Sequence, residues 1–251
     1  MRTASRFWTV VIALCTVGSA QSYYTCVNGP PAPYSRKAVT LDVATQHPVR
    51  VTSPDGQKSV QVKTVMDDPK TPDGWRMDLA VKVDGRVFRT HLVGFDGELA
   101  WSPDSKAFAV TLTTGGGAIG SRVYAFFVDR DGMKRVDVSE PIEKHFGHPV
   151  RCEIDVTPNT GFITWQEDSS TLLVAAEVIP VSFCRCMGTY RVYEMSLPTA
   201  TIKSTMSQVE AKKKLWPFLG CELRHANDKC VALLERHNRP IQESTAASGN
   251  R

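Results

Sequence analysis

The chain has 251 residues, of which 42% are hydrophobic, and a formal net charge of +4 at pH 7. So small a net charge argues against a nucleic-acid or other acidic-polymer partner. A chain of this length buries a single large core, and all-β domains commonly reach this size undivided. We therefore expect one main domain.

Residues 1–20 have the three parts of a secretory signal peptide. Arg2 and Arg6 precede an apolar run, residues 7–17, and small residues follow at 18–20. We predict cleavage after Ala20, which removes two arginines and lowers the formal charge from +4 to +2. The run is too short to cross a bilayer and no later segment is apolar enough, so no transmembrane segment is expected in the mature chain. The predicted location is periplasmic or secreted.

Cys15 lies within the apolar run and raises the alternative of a lipid-anchored amino terminus. The residue before it is Leu14, where a lipid-attachment signal requires a small residue. Cleavage without a membrane tether is therefore preferred.

Three segments, residues 49–85, 99–132 and 162–198, repeat one order of signals. Each begins with a strand and a turn that contains aspartate, continues with two further apolar strands, and ends at a second turn. This order predicts two β-hairpins in series in each copy.

The spacing of the turns supports the alignment of the three copies. Separations of 29, 27 and 29 residues lie between Asp55 and Asp84, Asp104 and Asp131, and Asp168 and Leu197. Asp-Gly pairs predict further hairpin or loop positions, because aspartate caps its own turn and glycine takes positive φ freely. They begin at Asp55, Asp73, Asp84, Asp96 and Asp131.

The run Trp-Ser-Pro-Asp-Ser-Lys at residues 101–106 resembles the TolB-type, WD40-like β-propeller repeat. Residues 53–58 match the repeat without its tryptophan, and residues 165–170 keep the tryptophan and the aspartate. The resemblance implies an all-β fold of stacked antiparallel blades. It implies little about function, because such blades occur both in binding proteins and as accessory domains of peptidases.

Three repeats are fewer than the four or so blades of a closed ring, so the predicted fold is an incomplete or partial propeller. Its open edges need cover. Residues 37–43 are predicted to add a strand, and the carboxy-terminal segment or a partner chain to cover a face.

The chain changes character at residue 207. Residues 21–206 are assigned to the propeller-like β domain and residues 207–251 to a carboxy-terminal helical segment with a disordered tail. Ser207 and Glu210 form a capping-box pattern that opens a helix. Residues 239–251 lack apolar periodicity.

Six cysteines follow the predicted cleavage site: Cys26, Cys152, Cys184, Cys186, Cys221 and Cys230. An even number in an exported chain predicts up to three disulfides, for which fifteen pairings exist. Cys221 with Cys230 is the preferred local pair. Cys184 and Cys186 are too close in sequence to join each other, so each is expected to reach a distant partner such as Cys152 or Cys26.

Motifs for catalysis or cofactor binding are lacking. The chain contains no Gly-x-Ser-x-Gly elbow, no His-Glu-x-x-His and no phosphate loop, and the glycines at 115–120 are interpreted as a hairpin loop. We therefore assign no catalytic, cofactor-binding or metal-binding residue and predict no cofactor. The leading prediction is an exported non-catalytic binding or scaffold protein that uses a propeller-like surface to bind a protein or envelope component.

The alternative is an exported enzyme or metal-handling protein with a site on the loops around His145, His148, Cys184 and Cys186. Imidazole and thiolate ligands suit zinc or copper(I). An oxidising compartment favours disulfides over free thiolates, which makes this the second choice.

Overall fold

The computed structural model describes residues 34–41, 47–66, 74–94, 96–114, 120–146, 157–179, 186–226 and 228–232. The predicted signal peptide, the predicted turn at Asp73 and the predicted disordered tail lie outside these ranges. Among the helices of the described ranges, none is long and apolar enough to cross a membrane.

Twelve strands form three antiparallel sheets of four consecutive strands each, which we call blades 1 to 3. Blade 1 has β2 (Val49–Thr52), β3 (Lys58–Met66), β4 (Trp75–Val83) and β5 (Arg86–Val93). Blade 2 has β6 (Asp96–Trp101), β7 (Ala107–Thr113), β8 (Ser121–Val128) and β9 (Met133–Asp137). Blade 3 has β10 (Asn159–Trp165), β11 (Thr171–Glu177), β12 (Tyr190–Ser196) and β13 (Thr201–Ser207). The predicted all-β partial propeller is confirmed, and the two hairpins of each copy form one four-stranded sheet whose fourth strand follows the second turn.

The remaining elements lie beside the blades. β1 (Val39–Leu41) pairs with β6, the first strand of blade 2, which confirms the predicted additional strand. Helix α1 (Ser139–Phe146) follows β9. After blade 3 come α2 (Gln208–Leu215), α3 (Cys221–His225) and a 3-10 helix (Asp228–Cys230). The hydroxyl of Ser207 accepts the N–H of Glu210, as the capping box predicts.

One turn conformation recurs between the first two strands of every blade. Its closing backbone hydrogen bonds run from Ser53 to Lys58, from Ser102 to Ala107 and from Gln166 to Thr171. The fourth residue of each turn has positive φ: Gly56 at 73°, Ser105 at 62° and Ser169 at 55°. The repeats are therefore equivalent in backbone conformation as well as in sequence.

The recurrent turns also join the blades to one another. The N–H of Asp55 donates to the hydroxyl of Ser105 at 3.0 Å, and the N–H of Asp104 donates to Ser169 at 3.0 Å. A serine at positive φ is strained, whereas glycine is not. Serine therefore occupies this position in blades 2 and 3, which have a preceding blade to bond, and glycine occupies it in blade 1.

The tryptophans of the repeat also form hydrogen bonds to the preceding blade. The indole N–H of Trp101 donates to the carbonyl of Val51 in blade 1, and that of Trp165 donates to Ala100 in blade 2, each at 3.2 Å. Thr52 stands at the corresponding position of blade 1 and is exposed. The missing tryptophan of the first repeat thus has a structural reason, since blade 1 has no earlier blade to contact.

Apolar side chains fill both spaces between blades. One core joins blades 1 and 2 and includes Val60, Leu79, Leu99 and Phe108. A second core joins blades 2 and 3 and includes Ala109, Phe162, Val174 and Ile142 of α1. The opposite face of blade 3 packs against the carboxy-terminal helices through Leu173, Val192, Leu215 and Leu223. The predicted cover of one face by the carboxy-terminal segment is confirmed.

Three predicted Asp-Gly turns are confirmed, of which Asp55-Gly56 belongs to the recurrent turn, and one is wrong. Asp84-Gly85 joins β4 to β5 with positive φ at both residues, and Asp131-Gly132 lies in the turn between β8 and β9. Asp96-Gly97 instead begins β6. A Cβ at Gly97 would overlap the carbonyl oxygen of Thr111, so this glycine permits close strand pairing rather than a turn.

The disulfide of Cys230 differs from the predicted pairing with Cys221. Cys230 bonds to Cys186, 44 residues away, with 5.3 Å between the Cα atoms, and Cys221 is itself disulfide-bonded elsewhere. The distant partner expected for Cys186 is confirmed. Packing decides the pairing, because Gln208 accepts the N–H of Tyr190 and donates to Asp228, which holds the 3-10 helix beside blade 3.

Replacing Trp101 with phenylalanine tests the contacts between blades. The change removes the indole donor and leaves the Val51 carbonyl without that bond, so we expect the free energy of unfolding to fall by about 1–3 kcal/mol. Trp165→Phe should behave alike. Thr52→Ala, at the corresponding exposed position, should change it by about 0.5 kcal/mol or less. Urea denaturation measures all three, and an equal loss in Thr52→Ala would contradict the assignment.

Candidate functional site

Residues 34–41, which we call the axial strap, lie between blade 3 and the carboxy-terminal helices and then join the inner edge of blade 2. The hydroxyl of Ser35 donates to the carbonyl of Ile163 at 2.7 Å. Gly220 donates its N–H to the carbonyl of Tyr34, and the N–H of Arg36 donates to Phe218. The strap therefore fills the space beside the first strands of blades 2 and 3.

The ring of Tyr34 is 1% exposed and lies directly over Gly161 of β10. A Cβ at residue 161 would overlap the ring. Glycine at this strand position is therefore required for the close approach of the strap.

Two buried glutamates, Glu98 and Glu177, and the partly buried Glu222 surround the strap. One carboxylate oxygen of Glu98 accepts the backbone N–H groups of Tyr34 at 3.2 Å and Ser35 at 3.3 Å. Glu177 accepts the hydroxyl of Tyr34 at 3.4 Å. Glu222 approaches from α3. In the described part of the chain, four buried oxygens here have no hydrogen-bond partner: Glu98 Oε2, Glu177 Oε1, Glu222 Oε1 and the hydroxyl of Tyr190.

Burial controls the protonation of this cluster. It raises the pKa of Glu98 to about 8 and that of Glu222 to about 7. Burial and the nearby Glu222 raise the pKa of Glu177 well above its usual value. Burial, with Glu222 and Glu177, also raises the pKa of Tyr34. The cluster is therefore largely uncharged at and below neutral pH.

The described side chains of the cluster do not form a metal-binding arrangement. Within the described ranges, no group of three or more histidine, cysteine, aspartate or glutamate side chains is arranged to hold an ion. Protonated carboxyl groups are also weak ligands, because metal binding requires the deprotonated form. We assign no metal to the cluster.

The outward side of blade 1 has a different character, and we call it the basic face. Alternation along its strands places these side chains outward: Arg50, Thr52, Ser59, Gln61, Lys63, Val65, Arg76, Asp78, Ala80, Lys82, Val87, Arg89, His91 and Val93. It holds five lysines and arginines but one carboxylate, Asp78, which forms an ion pair with Arg76 at 2.8 Å.

Elements that cover the basic face are lacking among the described residues. The cations Arg50, Lys63, Lys82 and Arg89 are exposed. Val87 and Val93 of the outer strand β5 are 49% and 53% exposed. The other side of the same blade is apolar and buried against blade 2. Blade 1 is therefore sharply amphipathic.

The four residues of the alternative metal site are not brought together in the described ranges. His145 lies on α1 with its Nδ1 3.3 Å from the hydroxyl of Tyr193. The sulfur of Cys186 is bonded to Cys230, so the prediction of a free thiolate there is wrong. His148 and Cys184 lie outside the described residues.

Sequence reasoning missed the buried carboxyl cluster and the basic face. Glu98 directly precedes the apolar residues Leu99 to Trp101 of β6, and Glu177 directly follows the apolar run of β11, which was the available signal for a buried charge. The basic face had a weaker signal, the alternation of charged with apolar residues along β4 and β5.

No protein-family model and no curated protein matches the chain. Solved structures similar to it include the acylaminoacyl peptidase of Pyrococcus horikoshii, at 11% identity and a TM-score of 0.37 over 67% of this chain and 26% of that one. The β-propeller domain of the Trilobed protease from Pyrococcus furiosus is similar at 12% identity and a TM-score of 0.38, over 69% of this chain and 44% of that one. This chain spans less than half the length of either.

Stability should fall as pH rises, because the folded protein holds protons on Glu98, Glu177 and Glu222 that the unfolded chain releases near its ordinary glutamate pKa. Between about pH 5 and 8, each such carboxyl lowers the free energy of unfolding by up to about 1.4 kcal/mol per pH unit. Urea denaturation at pH 5.5, 7.0 and 8.5 measures this slope. Stability that is constant or increases over this range would refute the expectation.

Gly161→Ala should displace Tyr34, because the added methyl group overlaps its ring. We expect a loss of at least about 2 kcal/mol in the free energy of unfolding, as for overpacked cores. Gly132→Ala is the matched control, since the space around that glycine is open. Equal stability of the two variants in urea denaturation would contradict the contact.

Proposed function

We propose that the protein is an exported, non-catalytic binding or scaffold protein that holds an acidic partner protein on the basic face of blade 1. Export rests on the predicted signal peptide, with residues 21–206 as the β domain and 207–251 as its helical cap and tail. The observation that carries the binding proposal is the concentration of exposed cations on one sheet face that no described element covers.

Repulsion among the cations supports a binding role for this face. Arg50 and Arg89 lie in one cross-strand row, and Lys63 and Lys82 lie in the neighbouring rows. Arg50 and Lys63 are diagonal neighbours on adjacent strands, as are Lys82 and Arg89, and such neighbours lie about 8 Å apart, close to the Debye length at physiological salt. The repulsion within each pair is therefore modest, and an acidic partner would relieve it.

A further blade or a second copy fits the face poorly. Surfaces that join blades here are lined by valine, leucine and phenylalanine, whereas the basic face has small or charged residues at its centre, such as Ala80 and Lys82. Two copies of the face would bring positive charges together. The partner is therefore expected to differ from this chain.

The chemistry of the face favours a protein partner. Val87 and Val93 expose apolar surface beside Arg89, and a mixture of apolar and arginine contacts is typical of protein interfaces. Four strands of this length present about 400 Å², roughly half of what one partner buries in a standard complex. We expect modest affinity with strong dependence on salt.

Charge reversal on the face tests the proposal. Recovery of acidic proteins from an envelope extract at low salt should fall at least tenfold when the bait carries Lys63→Glu and Arg89→Glu. The matched control carries Lys134→Glu and Lys213→Glu, two exposed lysines elsewhere with the same change in net charge. Quantitative mass spectrometry of the captured proteins makes the comparison.

The control should retain its partners, and raising the salt concentration should release them. Equal recovery by the two variants would refute the proposal. Capture of anionic vesicles but no protein by the unmodified bait would replace the protein partner with a membrane surface.

A further inference from the structure

We propose that the axial strap is a proton-dependent latch, docked while the carboxyl groups around it are neutral and released when they become charged. The released state would uncover the inner edge of β6 and the groove over Gly161. The proposal is independent of the basic face and concerns the edges of blades 2 and 3.

The backbone of the strap is held by few hydrogen bonds, and its side chains Tyr34 and Leu41 are buried in the cores of the neighbouring blades. β1 pairs with β6 over three residues only. Residues 34–36 add backbone bonds to Phe218 and Gly220 and the hydroxyl bond of Ser35 to Ile163. Three further bonds of the strap, from the N–H groups of Tyr34 and Ser35 and from the Tyr34 hydroxyl, end on the ionisable groups of Glu98 and Glu177. Its docking therefore depends on the state of these two carboxyl groups.

The titratable groups around the strap are carboxyl groups and tyrosine hydroxyls. They are Glu98 on β6, Glu177 on β11, Glu222 on α3, Tyr34 on the strap and Tyr190 on β12, with Asp228 near Tyr190. The cations nearest in sequence, Arg36 and Arg224, repel each other. Among the described residues, no lysine or arginine forms an ion pair with any of the three glutamates.

Ionisation would place several unpaired negative charges in an enclosed site. Glu98 has an unpartnered oxygen, as do Glu177 and Glu222. A buried charge without a partner is costly, and the cost rises when like charges share the site. Among the described residues these oxygens are shielded from water, so hydrating the charged groups requires a neighbouring element to move. The strap lies directly against Glu98, which accepts two of its backbone N–H groups, so we assign the movement to it.

Hydrogen exchange measured by mass spectrometry at pH 5.5, 7.0 and 8.5, corrected for intrinsic rates, tests the latch on the full exported chain. Protection of residues 34–41 should fall at least tenfold more than that of β7 between pH 5.5 and 8.5. Linkage gives up to about tenfold per pH unit for each carboxyl that ionises. In Glu98→Gln, which keeps an acceptor for both N–H groups and cannot ionise, this additional loss should be clearly smaller.

Glu222→Gln removes one charge without touching a bond of the strap and serves if the first variant does not fold. Glu140→Gln, an exposed glutamate on α1, is the matched control and should behave as the unmodified protein. Parallel loss of protection in the strap and β7, or strap protection that is constant with pH, would overturn the latch. The latch would also be overturned if Glu98→Gln or Glu222→Gln lost as much protection of the strap between pH 5.5 and 8.5 as Glu140→Gln does.

Discussion

Three stacked blades that do not close into a ring leave two end faces. Whether each of these faces is apolar or charged determines what the rest of the chain must cover. Each blade is a four-stranded sheet with two sides, and an apolar side must be buried. Blade 2 is covered on both sides by its neighbours. Blades 1 and 3 each have one side without a neighbouring blade, and these two sides differ in chemical character.

Blade 3 keeps an apolar end face and buries it beneath α2 and α3. Blade 1 has a charged end face that needs no cover. The formal charge of +4 is small because 26 acidic residues along the chain offset most of its 30 lysines and arginines. The low net charge argued against acidic polymers, yet the fold separates the charges so that one face is strongly basic. Net charge alone therefore says little about local surfaces.

Covering blade 3 has an electrostatic consequence. The strap and helices that bury its apolar residues also enclose Glu98, Glu177 and Glu222 together. Burial raises the pKa of each. Fold stability and strap docking thus become coupled to protons, whereas exposed carboxylates such as Asp55, whose hydrogen bonds lower its pKa to about 2, do not titrate in the same range. The packing of the strap and helices on blade 3 therefore covers an apolar face and also makes the stability of the fold depend on pH.

The sequence by itself determined the all-β repeats, their recurrent turns, the additional strand and the helix that begins after Ser207, because these depend on local turn chemistry and on side-chain periodicity. The signal peptide and the disordered tail stay predictions. Only the tertiary structure decided that Cys186 joins Cys230, that Asp96-Gly97 begins a strand, and that three distant glutamates meet at the strap. These features depend on which surfaces approach each other across the chain, and local pattern carries no information about such long-range contacts.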